Sequence, residues 1–284
     1  MYLKWEQVLR QLKSIDSAMI AFSGGLDSTL LLQGAAQAQT KVLAVTARAD
    51  IFPQSELVHA EQTALRFGVP HMFADFNILN CTEFTSNPGN RCYVCKKRLI
   101  GLLKEIARVN HFHFIIDGTN ASDLTDYRPG LKALQEEKIV SPLKEAGLTK
   151  REILLLAEEF GLPAVPDNAC LASRIPYGQP ITSQKLEMIE KAESLLHSLG
   201  FKLCRVRYEG DTARIEVPER DFEKIMIKKN REAILSGFES VGFLFTALDL
   251  QGYASGSLNK QLKKGVYSHA GKPFKGPSQQ VEKQ

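Results

Sequence analysis

Ser23-Gly24-Gly25-Leu26-Asp27-Ser28 follows the apolar run Ala18 to Ala21 and precedes the helix-forming run Thr29 to Leu32. A strand that stops in such a turn and restarts as a helix aims unpaired backbone N–H groups and the positive end of the helix dipole at one point, which favours phosphate. The two glycines allow close backbone approach, and Ser23 and Ser28 add hydroxyl donors. Asp27 is placed to hold a magnesium ion. The spacing is not Gly-x-x-x-x-Gly-Lys-Ser/Thr, so the loop carries no lysine for transfer of a γ-phosphoryl group.

The loop resembles the pyrophosphate loop of ATP pyrophosphatases, which implies that the β/γ-phosphates of ATP leave while a substrate oxygen attacks the α-phosphorus. Later in the chain, Gly118-Thr119-Asn120 with Asp123, and then Tyr127-Arg128, resemble a second element of that superfamily, near the α-phosphate and the substrate. Thr46 and Ala47 end an apolar strand where a base can pair with backbone groups.

Cys92-Tyr93-Val94-Cys95 brings two thiols together, with Lys96, Lys97 and Arg98 behind them to favour the thiolates. A third thiol, Cys170, lies in a loop bracketed by Pro166 and Pro176, too irregular for a continuous helix. Structural zinc would recruit a fourth ligand from Cys81, Cys204, His71, His111 or His113, none at a standard spacing. Three thiolates on a [4Fe–4S] cluster would instead leave one iron free to carry an exchangeable sulfide. The cluster is favoured because the thiols share a chain with the phosphate loop, although spacing alone does not separate the two metals. Cys81 and Cys204, among apolar neighbours, read as core thiols.

These groups need a scaffold, and strand and helix patterns alternate to supply it. Strands are expected near 18–21, 41–46, 70–76 and 112–117, with helices near 27–39, 55–67, 95–109 and 150–160. That rhythm predicts an α/β fold, a parallel sheet with helices on both faces, over residues 1–178, with ligands at the carboxyl ends of the strands. A small α+β domain is expected over 179–256: a helix over 183–199, strands over 203–208 and 213–217, a helix over 219–236 and a strand over 241–248. Arg205 and Arg207 share a strand face and, with Arg214, suit a phosphate or carboxylate, while Glu216 is placed to help hold a metal.

The phosphate loop, Gly118-Thr119-Asn120, Ala169-Cys170-x-x-Ser173-Arg174-x-Pro176-Tyr177-Gly178 and Arg205-Val206-Arg207…Ala213-Arg214-Ile215-Glu216 together resemble the LarE family over nearly all of residues 1–250. The resemblance implies an adenine nucleotide α-hydrolase-like PP-loop domain and synthesis of the nickel-pincer nucleotide cofactor of lactate racemase. The carboxylates of pyridinium-3,5-biscarboxylic acid mononucleotide would be adenylated with ATP and Mg2+ and become thiocarboxylates. Cys170, Asp27, Ser173 and Arg174 would be catalytic, and Arg174, Arg205, Arg207, Arg214, Tyr127 and Arg128 would bind this substrate. In some members Cys170's counterpart gives up its own sulfur. The additional Cys92 and Cys95 resemble the branch in which three cysteines hold [4Fe–4S] and an external sulfide or sulfur donor is used. Alternatives are a tRNA thiolase with a three-cysteine cluster, an amide-forming relative such as NAD synthetase, and a nucleotide-binding regulator stapled by zinc.

Charge argues against a nucleic-acid partner. The net +4 comes from the last 28 residues, 257–284, which carry six lysines and one glutamate; the preceding 256 residues sum to −1. The 257–284 segment reads as a basic, disordered tail. With 44% apolar residues, no run long enough to span a membrane, no signal peptide and an odd cysteine count, a cytoplasmic protein without membrane partners is expected, as a homo-oligomer.

Overall fold

The computed structural model of the chain describes residues 1–125, 129–163 and 169–263, so Tyr127, Arg128 and most of the expected tail lie outside the described residues. The chain divides into two compact units, one of residues Met1–Ile78 and Cys92–Cys170, the other of Leu79–Arg91 and Leu171 onward. The units part between Cys170 and Leu171, and a segment preceding the paired cysteines joins the second unit.

The first unit is built on four parallel strands, β1 (Ser17–Ala21), β2 (Lys41–Arg48), β3 (His71–Asp75) and β4 (Phe114–Asp117), in the order β3-β2-β1-β4. Ala21 pairs with both Val45 and Asp117, so β1 and β4 end level while β2 runs three residues further, to Arg48, along β3. Alternation along the strands sorts side chains between two cores. Ala18, Ile20 and Ile116 pack with Trp5, Leu12, Leu30, Leu31 and Leu156, from helices Tyr2–Lys13, Leu26–Ala38 and Lys150–Glu159. Met19, Val45 and Ile115 pack with Ile100, Leu103 and Leu134, from helices Arg91–Val109 and Gly130–Glu136. Helices thus cover both faces of the sheet, as the repeating pattern requires.

Helix Lys150–Glu159 opens with a capping box, Thr149 and Glu152 bonding reciprocally, and Lys4 Nζ reaches both Glu152 oxygens at 2.8 and 2.9 Å. Lys4's hydrogen bond, then the Thr149 N–H, pull the Glu152 carboxyl down to about 2.

In the second unit, β5 (Arg205–Glu209) and β6 (Thr212–Glu216) form an antiparallel hairpin turned at Gly210-Asp211, where Gly210 has φ +67°. β7 (Phe245–Leu248) joins β6 in parallel, and helices Ser183–Ser198 and Lys228–Ser240 supply Leu196, Ile234 and Phe238 to the core. The helix expected over 219–236 is broken: Ile227, extended at φ −55° and ψ 126°, separates Phe222–Met226 from Lys228–Ser240. The start of the expected tail is ordered, since Ser257–Asn259 and Lys260–Lys263 form helical turns around buried Leu258. Among the described residues no helix is long and apolar enough to cross a membrane.

The depressed Glu152 carboxyl contributes stability above its ordinary value of 4.5, and this contribution is lost as pH falls toward 2. Glu152→Gln is expected to lower the melting temperature at pH 7 by about 1–3 °C, the pair being partly solvent-screened. Thermal melts should show the gap closing between pH 4.5 and 2; a gap independent of pH would contradict the assignment.

Candidate functional site

At the carboxyl ends of β1, β2 and β4 the first unit encloses a cavity of about 340 Å³. Ser23, Gly25, Asp27, Ser28, Thr46, Ala47, Gly118, Thr119 and Asp123 line it, nine of the eleven residues expected at the nucleotide. Gly24 lies beneath: at φ +74°, a Cβ there would stand 2.8 Å from Ala60 Cα. Asn120 acts from behind by donating Nδ2 to Asp27 Oδ2 at 3.2 Å.

Helix Leu26–Ala38 begins at Gly25 with no side-chain cap, leaving its first N–H groups directed to the cavity's loop. Ser23 and Ser28 hydroxyls lie 3.2 Å apart, Ser23 Oγ accepts from Gly25 N at 3.3 Å, and Ser28 Oγ donates to Gly25 O at 3.0 Å. Both hydroxyls are therefore tied to the turn they serve.

Gly118 lets the loop after β4 run against the phosphate loop, for a Cβ there would lie 2.9 Å from Ser28 N. Below it, Asp117 accepts from Thr119 Oγ1 and Ser141 Oγ, each at 2.7 Å, which fixes the turn. Asp123 accepts from Asn120 N at 3.0 Å. On the base side, Thr46 Oγ1 lies 2.8 Å from His71 Nε2, and burial keeps the His71 pKa below its ordinary value.

Sequence reasoning missed Lys150, whose Nζ contacts Asp27 at 2.9 and 3.1 Å, and missed the walls supplied by Phe52, Leu57, Lys96, Leu99 and Leu103. The capping box Thr149-x-x-Glu152 marks Lys150 as the first helical residue, a signal visible in the sequence; its pairing across the fold is not.

Cys92, exposed, and Cys95, half-buried, occupy the first turns of helix Arg91–Val109, an i,i+3 pair on one face, and the next residue, Lys96, lines the cavity. Cys170 is half-buried and follows Ala169, the first described residue after 164–168. The donor set suits an iron–sulfur cluster by ligand type. Among the described residues, however, no three His, Cys, Asp or Glu side chains gather as a metal site. Cys204 is a core thiol, pushed up to about 12 by burial.

The expected arginines of the second unit are all engaged. Arg174, 1% exposed, bridges Glu193 through Nε and Nη2 at 2.9 and 2.8 Å and donates to Ser173 Oγ at 3.0 Å. Arg205 donates to Cys204 O at 2.7 Å and stacks over Tyr253. Arg207 reaches Glu216 at 2.6 Å, Ser257 Oγ and Ser173 O, both at 2.9 Å. Arg214 pairs with Glu209, Glu216 and Asp249. Both Glu216 oxygens thereby accept from arginines, so the carboxylate expected to help hold a metal takes part in an arginine network.

Gly118→Ala, whose Cβ would have to push the two loops apart, is expected to weaken ATP binding by about tenfold or more. Gly101→Ala, in open space on a helix, is expected to leave it unchanged, and calorimetric titration of both variants decides the matter.

No family model matches the chain. It is 38% identical to an uncharacterized protein of Synechocystis, over 92% of this chain and 98% of that one. It is 35% identical to the pyridinium-3,5-bisthiocarboxylic acid mononucleotide synthase of Lactiplantibacillus plantarum, over 89% of this chain and 92% of that one. Argininosuccinate synthase of Nitrosomonas europaea is 26% identical over 75% of this chain and 50% of its own length, in keeping with the PP-loop fold. With its phosphate loop, second glycine element and near-complete alignment, the chain belongs to the LarE family, that of pyridinium-3,5-bisthiocarboxylic acid mononucleotide synthase.

Proposed function

We propose that this chain is an ATP-dependent sulfurtransferase that converts carboxylates of pyridinium-3,5-biscarboxylic acid mononucleotide into thiocarboxylates in nickel-pincer nucleotide synthesis. The observation that carries this reading is the cavity itself: an uncapped helix N-terminus and two tethered serine hydroxyls face the same space as Lys96, the residue after the paired cysteines. ATP would place its β/γ-phosphates on the loop Ser23 to Ser28, with Asp27 holding Mg2+ together with phosphate oxygens. Thr46 and Ala47, at the end of β2, would meet the base.

A carboxylate oxygen of the substrate attacks the α-phosphorus, the bond to the pyrophosphate oxygen breaks, and an acyl adenylate forms. Sulfide then attacks the acyl carbon and AMP leaves with the carbon–oxygen bond electrons, which yields the thiocarboxylate. Adenylation is needed because an unmodified carboxylate would have to expel oxide. Cys92, Cys95 and Cys170 would hold a [4Fe–4S] cluster, which when bound supplies sulfide at the iron that lacks a protein ligand, replenished by an external donor. Within this scheme Lys96 neutralises phosphate charge and Arg205, Arg207 and Arg214, with Tyr127 and Arg128, serve the substrate's anionic groups, while Arg174, committed to Glu193 and Ser173, holds the stretch that follows Cys170.

Protein purified without oxygen is expected to contain about four irons per chain. Iron should be lost in Cys92→Ala, Cys95→Ala and Cys170→Ala, and the protein should release pyrophosphate and form thiocarboxylate when given ATP, sulfide and the mononucleotide. Bound zinc, or no metal, overturns the cluster. Dehydroalanine at position 170 after turnover would mean that Cys170 gives up its own sulfur. Pyrophosphate release without any sulfur product overturns the reaction.

A further inference from the structure

The loop after Cys170 is fixed by residues that neither the phosphate motif nor the cysteine pattern points to. Asn87 is fully buried and adopts φ +56°, a left-handed conformation that asparagine accepts more readily than most residues. Its Nδ2 lies 3.3, 2.8 and 3.0 Å from the carbonyls of Ile175, Pro176 and Gln179, and its own carbonyl accepts from Gly178 N at 2.9 Å. One residue therefore binds the backbone of the loop on both sides of Tyr177.

Arg91 orients that amide. Its Nη1 donates to Asn87 Oδ1 at 2.7 Å, which directs Nδ2 toward the carbonyls, and its guanidinium lies 4.3 Å from the centre of the Tyr177 ring. Tyr177 is itself held by the chain's last described turns: its N–H donates to Gln261 Oε1 at 3.2 Å and its hydroxyl to Asn259 Oδ1 at 3.1 Å. A left-handed non-glycine residue with this many partners is conformationally over-determined, and such strain is retained where a geometry matters.

We propose that Asn87 and Arg91 are positioning residues for sulfur transfer: they clamp Ile175 to Gln179 so that the preceding stretch, Cys170 to Arg174, is presented in one conformation. This rests on the sulfurtransferase reading above. Neither residue lines the nucleotide cavity, so adenylation and sulfur delivery should separate when the clamp is loosened.

The test uses the full chain purified without oxygen, comparing wild type, Asn87→Gly, Arg91→Gln, Tyr177→Phe and Tyr177→Leu. Asn87→Gly keeps the left-handed backbone and removes only the amide, and Tyr177→Phe keeps the ring under Arg91. Three quantities are read: the KM for ATP in pyrophosphate release, the thiocarboxylate formed per pyrophosphate, and the rate of Cys170 alkylation by iodoacetamide, followed by peptide mass spectrometry. In Asn87→Gly, Arg91→Gln and Tyr177→Leu the KM should hold within about twofold while thiocarboxylate per pyrophosphate falls about tenfold and Cys170 alkylates about threefold faster. Tyr177→Phe should match wild type. An unchanged product ratio, or a Tyr177→Phe variant as impaired as Tyr177→Leu, overturns the proposal. If wild type forms no thiocarboxylate, the sulfurtransferase reading falls instead, and the clamp is judged by alkylation alone, equal rates in wild type and Asn87→Gly refuting it.

Discussion

Gly24 and Gly118 mark two places where backbone passes so close to backbone that a methyl group has no room. At Gly24 the phosphate loop lies on Ala60 of helix Gln54–Arg66; at Gly118 the loop after β4 lies on the first turn of helix Leu26–Ala38. Held from below and from the side, the turn Ser23 to Ser28 cannot drift, and the first N–H groups of the helix keep one direction. The level ends of β1 and β4 set this up, because adjacent parallel strands that stop in register release their loops side by side at the carboxyl edge of the sheet. Asp27 is then anchored twice, by Asn120 and by Lys150, so the one carboxylate in the turn faces the cavity with its charge balanced.

The second unit is organised by buried charge. Removing Arg174, Glu193, Arg207 and Glu216 from water is costly, and it is tolerated only when almost every donor and acceptor is used. Glu193 meets that condition by binding two arginine nitrogens and the N–H of Val206, and Glu216 does so through two arginines and Ser257. Such networks specify one arrangement more than they add stability. Exchanging one partner for an apolar residue would strand the other charge, so the network forces helix Ser183–Ser198, the hairpin and the turn at Ser257 into a single register.

What could be read from the sequence was what is local. The turn Ser23 to Ser28 announces itself because its function lies in its own backbone, and the two periodicities give the strands and helices of the first unit. Lys150, Leu99 and Leu103 escaped because their role depends on which helix crosses which loop. Asn87 and Arg91 were less visible still: they sit between β3 and the paired cysteines in sequence, yet they belong to the second unit. The break at Ile227 has no proline or glycine to signal it, and the tail's glycines, prolines and few large apolar residues read as disorder, although Leu258 is buried and Ser257 completes the Glu216 network.

The pairing of the arginines bears on how an anion could be held in the second unit. Arg174, Arg205, Arg207 and Arg214 stand against Glu193, Glu209, Glu216 and Asp249, so the cluster has as many carboxylates as cations. Attraction by net charge is therefore weak, and capture of a phosphate or carboxylate would depend on donors already held in place. One such donor is Arg207 Nε, buried and without a hydrogen-bond partner among the described residues. Burial, and after it the neighbouring Arg174, also lowers the Arg205 pKa. A guanidinium fixed by carboxylates on two sides loses little freedom when it meets a ligand, so preorganisation, rather than an excess of positive potential, is what such a cluster would offer an anion.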